Sequence, residues 1–179
     1  MKNYILLLVL AFSTTIFSQK YYTKTGTLDF EASVPAFEPV KASHSTTTAV
    51  LDTETGKLAV LALVKGFRFK NALMEEHFNE NYMESGTYPK ASFSGTIDGF
   101  SIDDTAEGKE HIVKGELTIH GKPKTIEAPI TLIKDGDTFQ LSIAFVAAPE
   151  DFDIEIPNLV KEKISESINI TGSFQLSKR

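Results

Sequence analysis

The chain has 179 residues, no cysteine and a formal net charge of −6. Without cysteine it has no disulfides, no thiolate metal sites and no lipoprotein anchor. The acidic balance, with no basic cluster, argues against nucleic acid as a partner and against electrostatic docking on anionic lipid. The length predicts one domain, whose hydrophobic core alone must stabilise the fold.

The first residues have the pattern of a secretory signal peptide. Lys2 is followed by an unbroken apolar run, Ile5 to Phe12, which is far shorter than the ~20 residues needed to cross a bilayer. We predict cleavage between Ser18 and Gln19. Residues 1–18 are then the signal peptide and 19–179 the mature domain, which has no integral membrane segment and is periplasmic or secreted. The alternative is a buried N-terminal strand.

Most of the mature chain alternates apolar and polar residues, the pattern of half-buried strands. On one such run Phe139, Leu141, Ile143 and Phe145 share a face. Asp135-Gly136, just before it, is a hairpin signal. The alternation predicts about eight strands, near residues 21–32, 43–53, 57–69, 91–100, 110–121, 124–134, 138–147 and 166–177. The 57–69 run is apolar on both sides, so its inward face stays open.

Two segments predict short helices. Asn71 to Met83 places apolar and aromatic residues on one side at spacings of three and four. Pro157 to Ser165 begins with a proline, which suits a helix N-terminus. The economical fold is a closed all-β barrel with two short helical insertions.

A barrel of eight strands has an interior that is either filled by side chains or just wide enough for one small ligand. The sequence alone leaves both alternatives open. The best candidates for lining a cavity are phenylalanines, although ordinary core packing explains them equally well. They are Phe67, Phe69, Phe78, Phe93, Phe139 and Phe145.

Three motifs follow one another with a recognisable order and spacing. A helix carries Glu76-His77, then Tyr88-Pro89-Lys90-Ala91 runs into a strand, and the Gly115–Gly121 segment reads GELTIHG. Together, over residues 21–177, they resemble the YceI-like family of exported lipid-binding proteins.

The resemblance implies an extended eight-stranded antiparallel, lipocalin-like β-barrel with one or two short helices. It also implies a carrier that holds an isoprenoid, such as a quinone tail, or a fatty-acyl lipid for transport, storage or stress protection. The lipid is then the ligand, no cofactor is expected, and a homodimer is a reasonable prior expectation. The expected ligand contacts are Phe67, Phe69, Met74, His77, Phe78, Phe93, Ile119, Phe139, Leu141 and Phe145.

Two other functions remain as alternatives. One is an enzyme that uses Glu76 and His77 for acid–base chemistry at the barrel mouth, although no nucleophile or metal motif accompanies them. The other is a structural envelope domain with a filled barrel. Glu75, Glu76, His77 and Glu80 are expected to form a solvated charged face rather than a metal site, because consecutive glutamates on a helix cannot face one point. We therefore predict no catalytic and no metal-binding residues.

Overall fold

The computed structural model describes residues 19–106 and 108–179, and the predicted signal peptide lies outside them. The described part contains one α-helix, α1 (Ala72–His77), which continues as a π-helical turn over Phe78–Tyr82. The strands are β1 (Lys20–Ser33), β2 (Lys41–Asp52), β3 (Lys57–Leu63), β4 (Arg68–Phe69), β5 (Lys90–Ile97), β6 (Glu110–Ile119), β7 (Lys122–Asp135), β8 (Thr138–Ala147) and β9 (Ile164–Lys178).

The strands form one closed antiparallel sheet. Their order is β1-β9-β8-β7-β6-β5-β3-β2, and β1 pairs with β2 to close the barrel. The two-residue β4 pairs with the beginning of β2, where Ala42 lies opposite Phe69. The predicted eight-stranded antiparallel barrel is therefore confirmed, with β4 as a short addition.

The predicted strand over 57–69 is interrupted by a 3₁₀ turn at Val64–Gly66. Its inward face is now defined, because Leu58 and Ala62 are each 1% exposed whereas Leu61 and Leu63 are 37% and 54% exposed. The sequence could not distinguish the faces, since leucines lie on both.

The turn at Val64–Gly66 packs against a buried histidine of β2. A Cβ atom on Gly66 would lie only 2.2 Å from His44 Nε2, so this position requires glycine. The ring of His44 is 1% exposed, and its Nδ1 lies 2.8 Å from Thr47 Oγ1. Burial lowers the pKa of His44, which favours the neutral ring.

The predicted second helix, Pro157 to Ser165, is wrong. Only a 3₁₀ turn forms there, at Lys161–Lys163, and β9 already begins at Ile164. The apolar residues of the segment do not share a face: Val160 borders the barrel interior, whereas Leu159 is 90% exposed. An isolated segment this short has no stable helix without a packed apolar stripe.

The barrel interior is filled at one end and hollow at the other. The filled half lies where β1 begins and β2 ends, and its inward apolar side chains are at most 6% exposed. Tyr21 and Phe139 meet there edge to face, with ring centroids 4.6 Å apart. Other inward apolar residues of this half are Leu51, Ile97, Val113, Ile130, Leu132 and Leu176. The filled-core alternative therefore describes only half of the barrel.

Candidate functional site

The hollow half of the barrel contains a cavity of about 640 Å³, within the usual size range of small-molecule sites. Of the 40 residues around it, 33 are apolar. The seven polar ones are Asp29, Glu38, Asn71, His77, Tyr82, Ser92 and Lys163. Such a lining favours an apolar ligand and makes the burial of a charged one costly.

The deep end of the cavity is blind. Its floor consists of one layer of inward-facing side chains, Leu58, Phe93, Leu117, Leu141 and Phe174. On β8 and β9 the next inward residues, Phe139 and Leu176, belong to the filled half. At the opposite end the lining becomes exposed: Phe37 is 42% and Leu73 is 56% exposed, and Glu38 and His77 are exposed beside them. These four residues mark the mouth.

Nine of the ten predicted ligand contacts lie around this cavity. They are Phe67, Phe69, Met74, His77, Phe78, Phe93, Ile119, Leu141 and Phe145. Phe139 does not, because it lies on the inward face of β8 but deeper, in the filled half, where it is fully buried against Tyr21. Contact of the nine with a ligand stays a prediction.

An aromatic cluster joins the cavity wall to the helical segment at its mouth. The ring of Phe30 on β1 lies 5.4 Å from Phe67, 5.7 Å from Phe69 and 5.4 Å from Phe78. Phe78 also contacts Phe67 and Phe69, at 5.7 and 5.1 Å. Aromatic pairs at these separations attract one another beyond simple burial. The cluster therefore fixes the π-helical turn over the cavity.

Polar contacts fix the start of α1 against β4. Asn71 Oδ1 accepts a hydrogen bond of 2.9 Å from the backbone N–H of Leu73, which makes Asn71 the N-cap. Glu75 accepts bonds from Arg68 Nη1 at 2.9 Å and from the backbone N–H of Phe69 at 3.1 Å. Glu75 therefore holds α1 against β4, although the sequence predicts it on a solvated charged face. Glu76 is exposed, as that prediction expects.

Two polar side chains on the helical segment border the cavity. His77 is exposed at the mouth, and Tyr82 is half-buried farther along. Burial raises the pKa of the Tyr82 phenol, so its hydroxyl stays protonated at neutral pH and can donate a hydrogen bond to a ligand headgroup. Among the described residues no group of three or more histidines and carboxylates is arranged to hold a metal ion.

The wall opposite α1 comes from the segment 148–164, which sequence reasoning had assigned partly to a helix. It supplies the buried Phe152 as well as Ile154, Ile156 and Val160. Ion pairs of Lys124 with Asp151 and of Lys122 with Asp153 attach it to β7. The segment has no regular apolar periodicity, so the sequence does not predict that it forms a cavity wall.

Phe30 and Phe174 are among the other cavity residues that the predicted ligand contacts did not include. Both belong to the alternating apolar face of a predicted strand, so the period could have found them.

Two of the three motifs that carry the family resemblance meet at this end of the barrel. The ring of Tyr88 packs edge-on against His120, with centroids 4.4 Å apart. His120 in turn lies 2.9 Å from Glu84 Oε2 through Nε2, and 3.1 Å from the carbonyl oxygen of Phe152 through Nδ1. The motifs therefore join the end of the helical segment to the opposite cavity wall.

The sequence model of the YceI-like domain family matches residues 14–176 of this chain. The chain belongs to the YceI-like family. This confirms the resemblance that the three motifs suggested. No curated protein sequence matches this YceI-like chain. In the described part of the chain, no helix is both long and apolar enough to span a membrane.

Solved structures share the YceI-like fold at low sequence identity. A polyisoprenoid binding domain from Saccharophagus degradans, implicated in plant cell wall breakdown, superposes with a TM-score of 0.74 at 14% identity, covering 90% of this chain and 99% of that one. Burkholderia cenocepacia BcnA gives 0.65 at 16% identity, with 84% and 96% covered. The Campylobacter jejuni YceI protein gives 0.64 at 19% identity, with 82% and 88% covered. These likenesses confirm the fold.

Proposed function

We propose that this YceI-like protein is a carrier that holds one long apolar molecule, an isoprenoid or a fatty-acyl lipid, in the hollow half of its barrel. The observation that carries the proposal is the blind cavity of about 640 Å³ with 33 apolar residues among its 40. The description of the Saccharophagus domain as polyisoprenoid binding supports an isoprenoid ligand. A quinone with an isoprenoid tail is one candidate of this class.

Affinity in such a cavity comes from removing the chain from water. Each buried CH₂ contributes roughly 0.8 kcal/mol, so ten carbons contribute about 8 kcal/mol before the cost of ordering the chain. A polar headgroup then needs only one or two partners at the mouth, and the proposed partners are His77 and Tyr82, which border the cavity. The nine predicted contacts around the cavity are the proposed ligand-binding residues.

The proposed role is binding without covalent chemistry. In the acid–base alternative Glu76 and His77 act together, but Glu76 is exposed and does not border the cavity, whereas His77 does. Export by the predicted signal peptide, residues 1–18, suits a carrier, because an apolar chain needs shielding from water in the periplasm or outside the cell. Transport, storage and stress protection are all compatible with such a carrier.

The test is organic extraction and native mass spectrometry of gently purified protein, followed by addition of an isoprenoid quinone. We expect a co-purifying lipid or uptake of the quinone. Ala91→Trp fills the cavity from β5 and should abolish binding, whereas Ala59→Trp, on an exposed position of β3, should keep it. An apo mass throughout, with no quinone uptake by the folded wild type, refutes the carrier.

A further inference from the structure

The floor of the cavity is defined most sharply on β8 and β9. Phe174 lies opposite Leu141 in the sheet, and both border the cavity. The next inward pair, Leu176 opposite Phe139, is fully buried in the filled half. The hollow therefore ends between two successive layers of side chains, and Phe174 provides the larger side chain of the upper pair.

Two glycines hold the Phe174 ring in place. A Cβ atom at Gly26 on β1 would lie 2.2 Å from Phe174 Cδ1, and one at Gly172 on β9 would lie 2.8 Å from Phe174 Cε2. The ring therefore lies against both strands, in the space that a side chain at either glycine would occupy. Aromatic rings that cover sheet glycines are a known packing arrangement.

The dimensions of the hollow limit the chain that fits. At ~30 Å³ for each CH₂-sized group, the volume per molecule of liquid water, a cavity of about 640 Å³ holds about 20 such groups. The stretch of β9 from Ile164 to Phe174, at about 3.3 Å per residue and a strand tilt of about 40°, gives a depth of about 25 Å. Both figures describe one extended chain rather than several.

We propose that the cavity takes a single apolar chain of about 20 carbons, equivalent to four isoprene units, and that Phe174 is the residue that sets this length. The inference rests on the proposed carrier function and adds a chain-length limit to it. Carbons beyond the limit stay at the mouth, in water, and contribute no further affinity.

The experiment measures the affinity of saturated fatty acids of about 12 to 24 carbons for the folded protein, by native mass spectrometry in pairwise competition. For wild type we expect Kd to fall about fourfold per added methylene until the chain reaches the floor, near 20 carbons, and then to level off. We call the chain length at which Kd levels off the break. Phe174→Ala removes a six-carbon ring and should move the break roughly four carbons upward, to longer chains.

A second substitution moves the floor the other way. Gly172→Ala adds a methyl group to the wall just above the floor, 2.8 Å from Phe174 Cε2 and 2.9 Å from Ile143 Cγ2, and this methyl group narrows the deep end of the hollow. The break should then shift downward by about two carbons. Phe139→Ala is the matched control, because it deletes an equally buried ring in the filled half. It should lower stability while leaving the break where it is in wild type.

The outcomes separate the two proposals. Binding of no chain by folded wild type refutes the carrier itself. Binding whose break is absent, or is equal in wild type and in Phe174→Ala, leaves the carrier standing and refutes Phe174 as the limit. Thermal melts identify any variant that has not folded. If Phe174→Ala does not fold, Phe174→Leu, a milder truncation, tests the same claim and should shift the break upward by a smaller amount.

Discussion

The two halves of the barrel predict that stability and ligand binding can be separated on a single strand. Phe139 and Phe145 lie on the same inward face of β8, but Phe139 is fully buried in the filled half whereas Phe145 borders the cavity. Replacing each by alanine removes the same ring from two different environments. Phe139→Ala should lower stability and leave binding unchanged, and Phe145→Ala should lower binding with the smaller cost in stability.

The magnitudes follow from the surroundings of each ring. Phe139→Ala leaves a cavity in close-packed core and should reduce the free energy of unfolding by about 3–5 kcal/mol, of which the edge-to-face pair with Tyr21 accounts for about 0.5–1.5. Phe145 is only half-buried, so its loss should cost about half as much. If a bound chain covers about 50 Å² of the Phe145 ring, its removal weakens binding by about 1.2 kcal/mol, or roughly eightfold in Kd.

Urea denaturation of the ligand-free variants measures the first effect as a lower midpoint at unchanged slope. Native mass spectrometry with an added isoprenoid quinone measures the second. The reasoning is refuted if both substitutions destabilise the protein equally, or if Phe139→Ala weakens binding as much as Phe145→Ala while remaining folded.

Three further outcomes are expected. His77→Ala should keep lipid binding within about threefold in a quinone titration, because a single mouth contact is worth little beside the buried chain; a complete loss would favour the acid–base alternative. Gly66→Ala should lower the free energy of unfolding by about 1–3 kcal/mol in urea denaturation, since its methyl group meets the His44 ring at 2.2 Å; unchanged stability would contradict that packing. The pKa of His44 is lowered in the folded state, so the unfolded chain binds the proton first as the pH falls. The stability of the wild type should therefore decrease below about pH 6.5, until the folded pKa is passed. The stability of His44→Gln should decrease less over that window, and parallel profiles of the two proteins would contradict the lowered pKa of His44.

The barrel could be predicted from the sequence because alternation reports directly which residues face inward. On β8 the period places Phe139 to Phe145 on one face, as the structure confirms. The period fails on β3, where Leu61 and Leu63 point outward although they are as apolar as the inward Leu58. There the faces are decided by the neighbouring strands, which the local sequence does not describe.

The site was predictable in its aromatic residues but not in its shape. Phe139 and Phe145 have the same environment in the sequence, and only the convergence of eight strands decides which ring meets other side chains and which meets a void. The irregular wall around Phe152 has no period at all and depends on tertiary ion pairs such as Lys124 with Asp151. Its conformation is therefore a property of the assembled barrel rather than of the segment itself.

The closed floor of the cavity, which includes Phe174, has a kinetic consequence for any ligand. Because the cavity has one mouth, a ligand enters and leaves by the same route, past the exposed residues Phe37 and Leu73. A higher barrier at the mouth slows entry and escape alike, whereas tighter binding slows escape alone. If the protein is the proposed carrier, it therefore has to turn the same face, the mouth, toward the donor and toward the acceptor of its lipid.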